Sequence, residues 1–395
     1  MSVKQAVILS AGESSRFWPL NYQNKALFKI MGKPLIWHTI ESLKKAGIKE
    51  IIVIQGPEKE VEENLKDYNL GGGVKYLVQE APQGMGDALM SARGLVSGSF
   101  LVVGGHKIDA GDYVQEIVKS GKEVILLGVK TNQPWHYGIL KIEGNKVKDL
   151  VEKPERGQEP SDLKLGAVYL LPPTFFEYHQ RLPKDHYSFE QTLKLYIKEE
   201  KVGLVEAQED FSSLKYPWQI FSLTKYLLDK NLGDKKVHIG KNVKIFEGAV
   251  IKGPCYLGDG CVIGNNALVR DYTNLEDGAM VGAFAEVTRC VFQKNAHVHS
   301  GFFGDSILGE NCRVGAGTVT GNIRLDRGEI KETGLNSLGV IVGKNTHIGI
   351  NVSLMPGVLI GSGCVVGPGS VVFDNIEDDT TFFTKFERVL KKSRR

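Results

Sequence analysis

The chain has 395 residues, of which 42% are hydrophobic and 24% charged, with a formal net charge of +3. That length can bury more than one sizeable core, and the ordinary composition excludes global disorder. The small charge excludes partners that need a concentrated basic field, so neither a nucleic acid nor a membrane surface is expected.

In chain order, residues 6–9, 50–54, 100–103 and 124–129 are β-branched runs that read as buried strands. Residues 35–46 carry Ile36, Ile40 and Leu43 at helical spacing and stop at Gly47. The alternation predicts a Rossmann-like α/β domain over residues 1–233, a mostly parallel sheet with helices on both faces. Ligands of such sheets sit at the carboxyl ends of the strands. No apolar run approaches the roughly 20 residues of a membrane span. Residues 1–5 lead straight into the first strand, so no secretory leader is expected.

After the charged stretch 229–236 the period changes to six. Ile239, Ile245, Ile251, Leu257, Ile263, Val269, Leu275, Val281 and Val287 follow strict hexads, mostly with a small or β-branched residue two positions before each. The pattern weakens near Gln293, resumes at Leu308 and Val314, breaks for about 20 residues, and returns from Val342 to Val372. Such a period fits neither an α-helix nor a flat strand. It suits a parallel β-helix of triangular coils stacking aliphatic residues inside, over residues 237–375. Residues 376–395 form a basic tail. The five cysteines form no CxxC pair, and Cys255 and Cys261 fall on small inward positions, so packing rather than reactivity is expected. Their odd number argues against a secreted disulfide framework and favours a cytoplasmic location.

The first strand is followed by Ser10-Ala11-Gly12-Glu13-Ser14-Ser15-Arg16-Phe17-Trp18-Pro19-Leu20, then Asn24-Lys25-Ala26-Leu27 and Gly32-Lys33-Pro34. A Gly- and Ser-rich loop exposes backbone N–H groups to phosphate oxygens. An arginine adds a bidentate clamp, and a lysine adds a compact charge for a pentacovalent phosphorus. The constellation resembles the signature of the sugar-1-phosphate nucleotidylyltransferases. Gln79 to Ala88 resembles their base-recognition segment, while Tyr137-Gly138 and Glu152-Lys153-Pro154 resemble their sugar-binding segments. The resemblance implies that Gly12, Ser14 and Arg16 cradle a nucleoside triphosphate and that Lys25 stabilises the transition state. It also implies that Gln79 and Gly84 face the base, and that Gly138, Glu152 and Lys164 face the sugar. UTP or dTTP with glucose or N-acetylglucosamine 1-phosphate are the implied substrates.

The hexad region resembles the left-handed parallel β-helix of the hexapeptide-repeat acyltransferases. His297-Val298-His299-Ser300-Gly301-Phe302-Phe303-Gly304-Asp305 and Gly315-Ala316-Gly317-Thr318 to Asn322 are similar to the acetyltransferase region of the bifunctional enzymes that make UDP-N-acetylglucosamine, archaeal relatives included. That resemblance implies His299 as general base toward a sugar amine, Asn322 as a substrate or oxyanion contact, acetyl-CoA as co-substrate, and a homotrimer.

Several positions depart from these patterns. Ser14 replaces the second glycine, Phe302 a tyrosine, and Lys164 an asparagine. His106 and Ser213 stand where the family places its Mg²⁺ ligands, with Asp109 and His106 left as the metal candidates. Three readings stay open: a nucleotidylyltransferase with or without acetyl transfer, a nucleotide-sugar-binding regulatory or scaffold protein, and an acyltransferase alone.

Overall fold

The computed structural model describes residues 3–12, 14–81, 83–183, 187–207, 214–233, 236–331 and 333–387. Its packing falls into two units. The first holds the chain up to Ser14, Gln23–Phe28 and Lys33–Lys215; the second holds Ser15–Tyr22, Lys29–Gly32 and the chain from Tyr216 onward.

The first unit is built on a nine-stranded sheet. From one edge its order is Val74–Val78, Glu50–Gln55, Gln5–Ser10, Phe100–Gly104, Leu163–Leu171, Val124–Lys130, Val202–Ala207, Lys146–Glu152 and Gly138–Glu143. The first four strands are parallel, but Leu163–Leu171 runs antiparallel to both neighbours, and the last two strands form a hairpin. Period-two alternation assigns each strand residue to one face. Ala6, Ile8, Ile51, Val53, Leu101 and Val103 pack on one side against Ile36, Ile40 and Leu43 of helix Leu35–Lys45 and Val114 and Ile117 of helix Ala110–Lys119. Val7, Ile52, Ile54 and Val102 pack on the other against Phe175 and Phe176 of helix Phe175–Gln180 and Phe189 and Leu193 of helix Ser188–Glu199. Helices therefore cover both faces, as the alternation predicts.

The second unit is a parallel β-helix of three stacked sheets with seven, eight and seven strands. Leu257, Ile263, Val269, Leu275, Val281 and Val287 point inward and are fully buried. Ile239 and Ile245 fit the hexads yet are 51% and 44% exposed, because the first coil has a neighbouring coil on one side only. Beyond Val287 the inward residues are Phe292, Val298, Phe303, Leu308 and Val314. Three of those sides are one residue short, which is why the strict period fades near Gln293. Residues 321–340 leave the stack between strands Thr318–Thr320 and Ile341–Val342. Corners recur at left-handed residues such as Asn295, Asn311 and Asn345, whose amides form a ladder with contacts of 3.2 and 3.1 Å. All five cysteines are buried and unpaired, and burial pushes the Cys255, Cys261, Cys290 and Cys312 thiols up to about 12. They are packing residues.

Candidate active site

A cavity of about 270 Å³ opens at the carboxyl ends of the central strands in the first unit. Leu9 and Ser10 end one strand, Val103 and Gly104 end the next, and Gln79 follows the strand Val74–Val78. Gly12, Lys25, Gln79, Gly84 and His106 share its wall with Asn24, Met85, Ala167 and Tyr169.

Lys25 opens a short 3-10 turn, Lys25–Leu27, whose N-cap is Asn24. The Asn24 side-chain oxygen accepts the Ala26 N–H at 3.0 Å, while its amide donates to the Ser10 carbonyl at 2.7 Å. The Lys25 N–H donates to the Ser14 hydroxyl at 3.2 Å. The end of the first strand, the Ser14 loop and the lysine turn are thus tied together, which fixes where Lys25 starts. Gly12 lies open, with nothing within 4 Å of where a Cβ would stand. Gln79 is buried, and its amide donates to Asp87 at 2.9 Å and to the Gly84 carbonyl at 3.4 Å.

His106 is half-buried, with its Nε2 fully enclosed and without a hydrogen-bond partner. Burial, reinforced by the Lys25 and Lys107 charges, holds its imidazole well below the usual value, so it is neutral at physiological pH. Lys107 is fully buried and pairs with Asp109 Oδ2 at 2.8 Å; the Tyr113 hydroxyl donates to the same oxygen at 2.8 Å. Asp109 is therefore committed to Lys107 and is not in the cavity wall. For the same reason Lys107 is not presented to a bound phosphate.

The remaining sequence candidates lie elsewhere. Arg16 is exposed on the turn Ser15–Phe17, which belongs to the second unit. Gly138 pairs with Glu152 across the terminal hairpin, where a Cβ on Gly138 would come within 2.8 Å of the Glu152 carboxylate. Lys164 is buried, with its ammonium 4.1 Å from the centre of the Tyr137 ring, over which Lys215 also sits at 4.5 Å. None of these residues lines the cavity. Ser213 lies outside the described residues. Asn24 and Tyr169 are functional candidates that motif reading missed. A polar N-cap before a lysine turn was the available signal for Asn24, and none existed for Tyr169.

Mg²⁺ takes hard oxygen ligands, commonly one or two carboxylates together with phosphates. No carboxylate lines the cavity among the described residues, and no group of three His, Cys, Asp or Glu side chains there could hold a metal. A neutral imidazole does not complete a magnesium site.

On the β-helix, His299 is exposed at the corner before strand Gly301–Gly304, its N–H donating to the Val314 carbonyl at 2.9 Å. Gly301 is at φ +130°, and a Cβ there would stand against the Thr318 carbonyl. Asn322 lies at the other end of the same side, where its amide donates to Asp305 Oδ2 at 2.6 Å. Asp305 also accepts from Ser337 and from Arg289 at 2.5 and 2.9 Å. The register Gly301↔Thr318 places Asn322 beside Asp305, toward the opposite end of this side from His299.

The description "Nucleotidyl transferase" matches residues 5–217, and "Bacterial transferase hexapeptide (six repeats)" matches 236–271 and 339–374. The chain is 32% identical to the "Bifunctional protein GlmU" of Methanocaldococcus jannaschii, covering 98% of this chain and 99% of that one. It is 30% identical to the "Bifunctional sugar-1-phosphate nucleotidylyltransferase/acetyltransferase" of Sulfurisphaera tokodaii, covering 93% and 97% respectively.

Proposed function

The chain belongs to the nucleotidyl transferase family, among the bifunctional sugar-1-phosphate nucleotidylyltransferase/acetyltransferases, and from that premise we propose that it joins a nucleoside triphosphate to a sugar 1-phosphate and acetylates a sugar amine on its β-helix. UTP or dTTP, with glucose or N-acetylglucosamine 1-phosphate, are the proposed substrates of the first reaction. A phosphate oxygen of the sugar attacks the α-phosphorus, a new P–O bond forms, and pyrophosphate departs with the electrons of the broken bond. Gly12 lends open backbone to the phosphates, and Lys25 offsets the charge that builds on the pentacovalent phosphorus. Gln79 and Gly84 meet the base, and Arg16, Ser14, Gly138, Glu152 and Lys164 are the outlying contacts proposed from the signature. The observation that carries this reading is that Gly12, Lys25, Gln79 and Gly84 wall one cavity at the strand ends.

In the second reaction His299 takes the proton of a glucosamine 1-phosphate amine as it attacks the thioester of acetyl-CoA, and the coenzyme thiolate leaves. A homotrimer, in which a neighbouring copy completes the acetyl-transfer site, is proposed from the family resemblance. Mg²⁺ is the divalent ion that the family leads one to expect. Among the described residues no helix is long and apolar enough to cross a membrane, in keeping with a cytoplasmic protein.

A rival reading, a nucleotide-sugar-binding regulatory or scaffold protein, draws on the lack of carboxylates among the described residues of the cavity. Pyrophosphate release from a panel of nucleoside triphosphates with sugar 1-phosphates, with and without Mg²⁺, separates the two. Release with at least one pair supports the enzyme; binding with no release from any pair supports the rival.

A further inference from the structure

His106 has a feature that the signature does not explain. Its Nε2 is enclosed and unpartnered at the cavity wall. Enclosing a ring nitrogen without a partner costs stability, so native proteins rarely do it without a reason. The ring is also closely seated. A Cβ on Gly104 would stand 3.1 Å from the His106 ring, and one on Gly105 would meet Ser10 and Ala26 at 2.9 and 3.0 Å. Two glycines in succession therefore let the backbone pass close enough to hold the ring at the cavity. Lys25 brings a positive charge to the same wall, while Lys107 is neutralised by Asp109, and no described carboxylate lines the wall to attract a cation. With the ring proton on Nε2, the group that pairs with it must accept a hydrogen bond, and beside Lys25 it must tolerate positive charge. A phosphate oxygen does both.

Resting on the nucleotidyl-transfer reading, we propose that His106 Nε2–H donates a hydrogen bond to a substrate phosphate, and that this site holds its phosphates through His106, Lys25 and backbone amides without recruiting Mg²⁺. His106 is a binding group in this scheme, since a neutral imidazole with one N–H donates without passing its proton on. No bond is made or broken at the histidine.

The test is calorimetric titration of the full chain with UTP and with dTTP, in EDTA and in Mg²⁺, for the parent and for His106→Leu, His106→Gln and His106→Asp, with thermal unfolding as a check on each fold. Expected are parent affinities that differ by less than about threefold between EDTA and Mg²⁺. His106→Leu should bind about tenfold to a hundredfold more weakly. His106→Gln, which keeps an N–H donor, should recover most of that loss, and His106→Asp should bind tightly only with Mg²⁺. Parent binding that needs Mg²⁺, or an equally tight and well-folded His106→Leu, overturns the inference and leaves nucleotidyl transfer standing. If His106→Leu does not fold, the Gln and Asp variants decide by the same contrast. Binding of neither nucleotide under either condition overturns both the inference and the function it rests on.

Discussion

Lys25 shows how the chain fixes a cation at the wall of the cavity. Its backbone is fixed twice, through the Asn24 cap and through the Ser14 hydroxyl, so the side chain starts from a set point on the cavity wall. Removing a charge-assisted contact costs about 1.5–3 kcal/mol. Lys25→Ala should therefore lower pyrophosphate release about tenfold to a hundredfold, read from initial rates at saturating nucleotide. The exposed Arg16 has no such wall position, and Arg16→Ala should raise the half-saturating nucleotide concentration more than it lowers the maximal rate. On the β-helix, His299→Ala should lower acetylation of glucosamine 1-phosphate by about 10²–10⁴-fold. Because His299 is exposed at a corner and only its backbone is in the coil ladder, thermal unfolding should be unchanged. Full activity in that variant would exclude it as the base.

At the scale of elements, the β-helix was legible because one inward residue per side must be apolar, from Leu257 through Val372, and geometry repeats that demand every six residues. The short sides at Phe292, Phe303 and Leu308 escaped because a strict period carries no signal for a missing residue. The α/β strands were legible as β-branched runs, yet the antiparallel Leu163–Leu171 was not, since a buried strand reads the same in either direction. In the candidate site the residues that the signature names, Gly12, Lys25, Gln79 and Gly84, share one cavity wall, whereas the lock between Lys107 and Asp109 depends on packing that spacing does not encode. Another hidden element is the turn Lys29–Gly32 against the coils. Asn274 accepts the Met31 N–H at 2.9 Å, and Glu276 accepts the Gly32 N–H at 3.0 Å and the Asn274 amide at 2.8 Å. Burial raises the Glu276 carboxyl from 4.5 to about 7, despite the bonds from Asn274 and Gly32. A folded value above the unfolded one means the folded state binds the extra proton. This stability term is full below about pH 4.5 and is lost as pH rises through about 7. Denaturation midpoints from pH 5 to 8 should fall more steeply for the parent than for Glu276→Gln. Identical slopes would show that the carboxyl does not titrate in that window.

For the whole molecule, the proposed boundary between residues 1–233 and 237–375 meets an arrangement that crosses it in sequence. Segments Ser15–Tyr22 and Lys29–Gly32 come from the N-terminal part of the chain but pack in the unit of the β-helix. Trp18 Nε1 donates to Asp378 at 3.3 Å, the Lys344 ammonium lies 4.9 Å from the Tyr22 ring centre, and the Gln293 amide donates to the Lys29 carbonyl at 3.0 Å. The charged stretch 229–236 is the expected site of limited proteolysis, with cleavage expected past Leu232, where the helix Ile220–Leu232 ends. Cutting there severs the covalent link and leaves every one of these contacts in place. Each is modest, about 0.5–1.5 kcal/mol for a neutral hydrogen bond, but they act together once the nick makes reassociation depend on them. The two fragments should therefore appear as separate bands on a denaturing gel while co-eluting on native size exclusion. Replacing Asn274 and Glu276 together with alanine removes the acceptors for Met31 and Gly32, and the nicked variant should separate at lower urea than the nicked parent. Fragments that part at once without denaturant would mean that the two N-terminal segments do not hold to the coils in solution, and cleavage scattered through the hexads would remove the proposed boundary altogether.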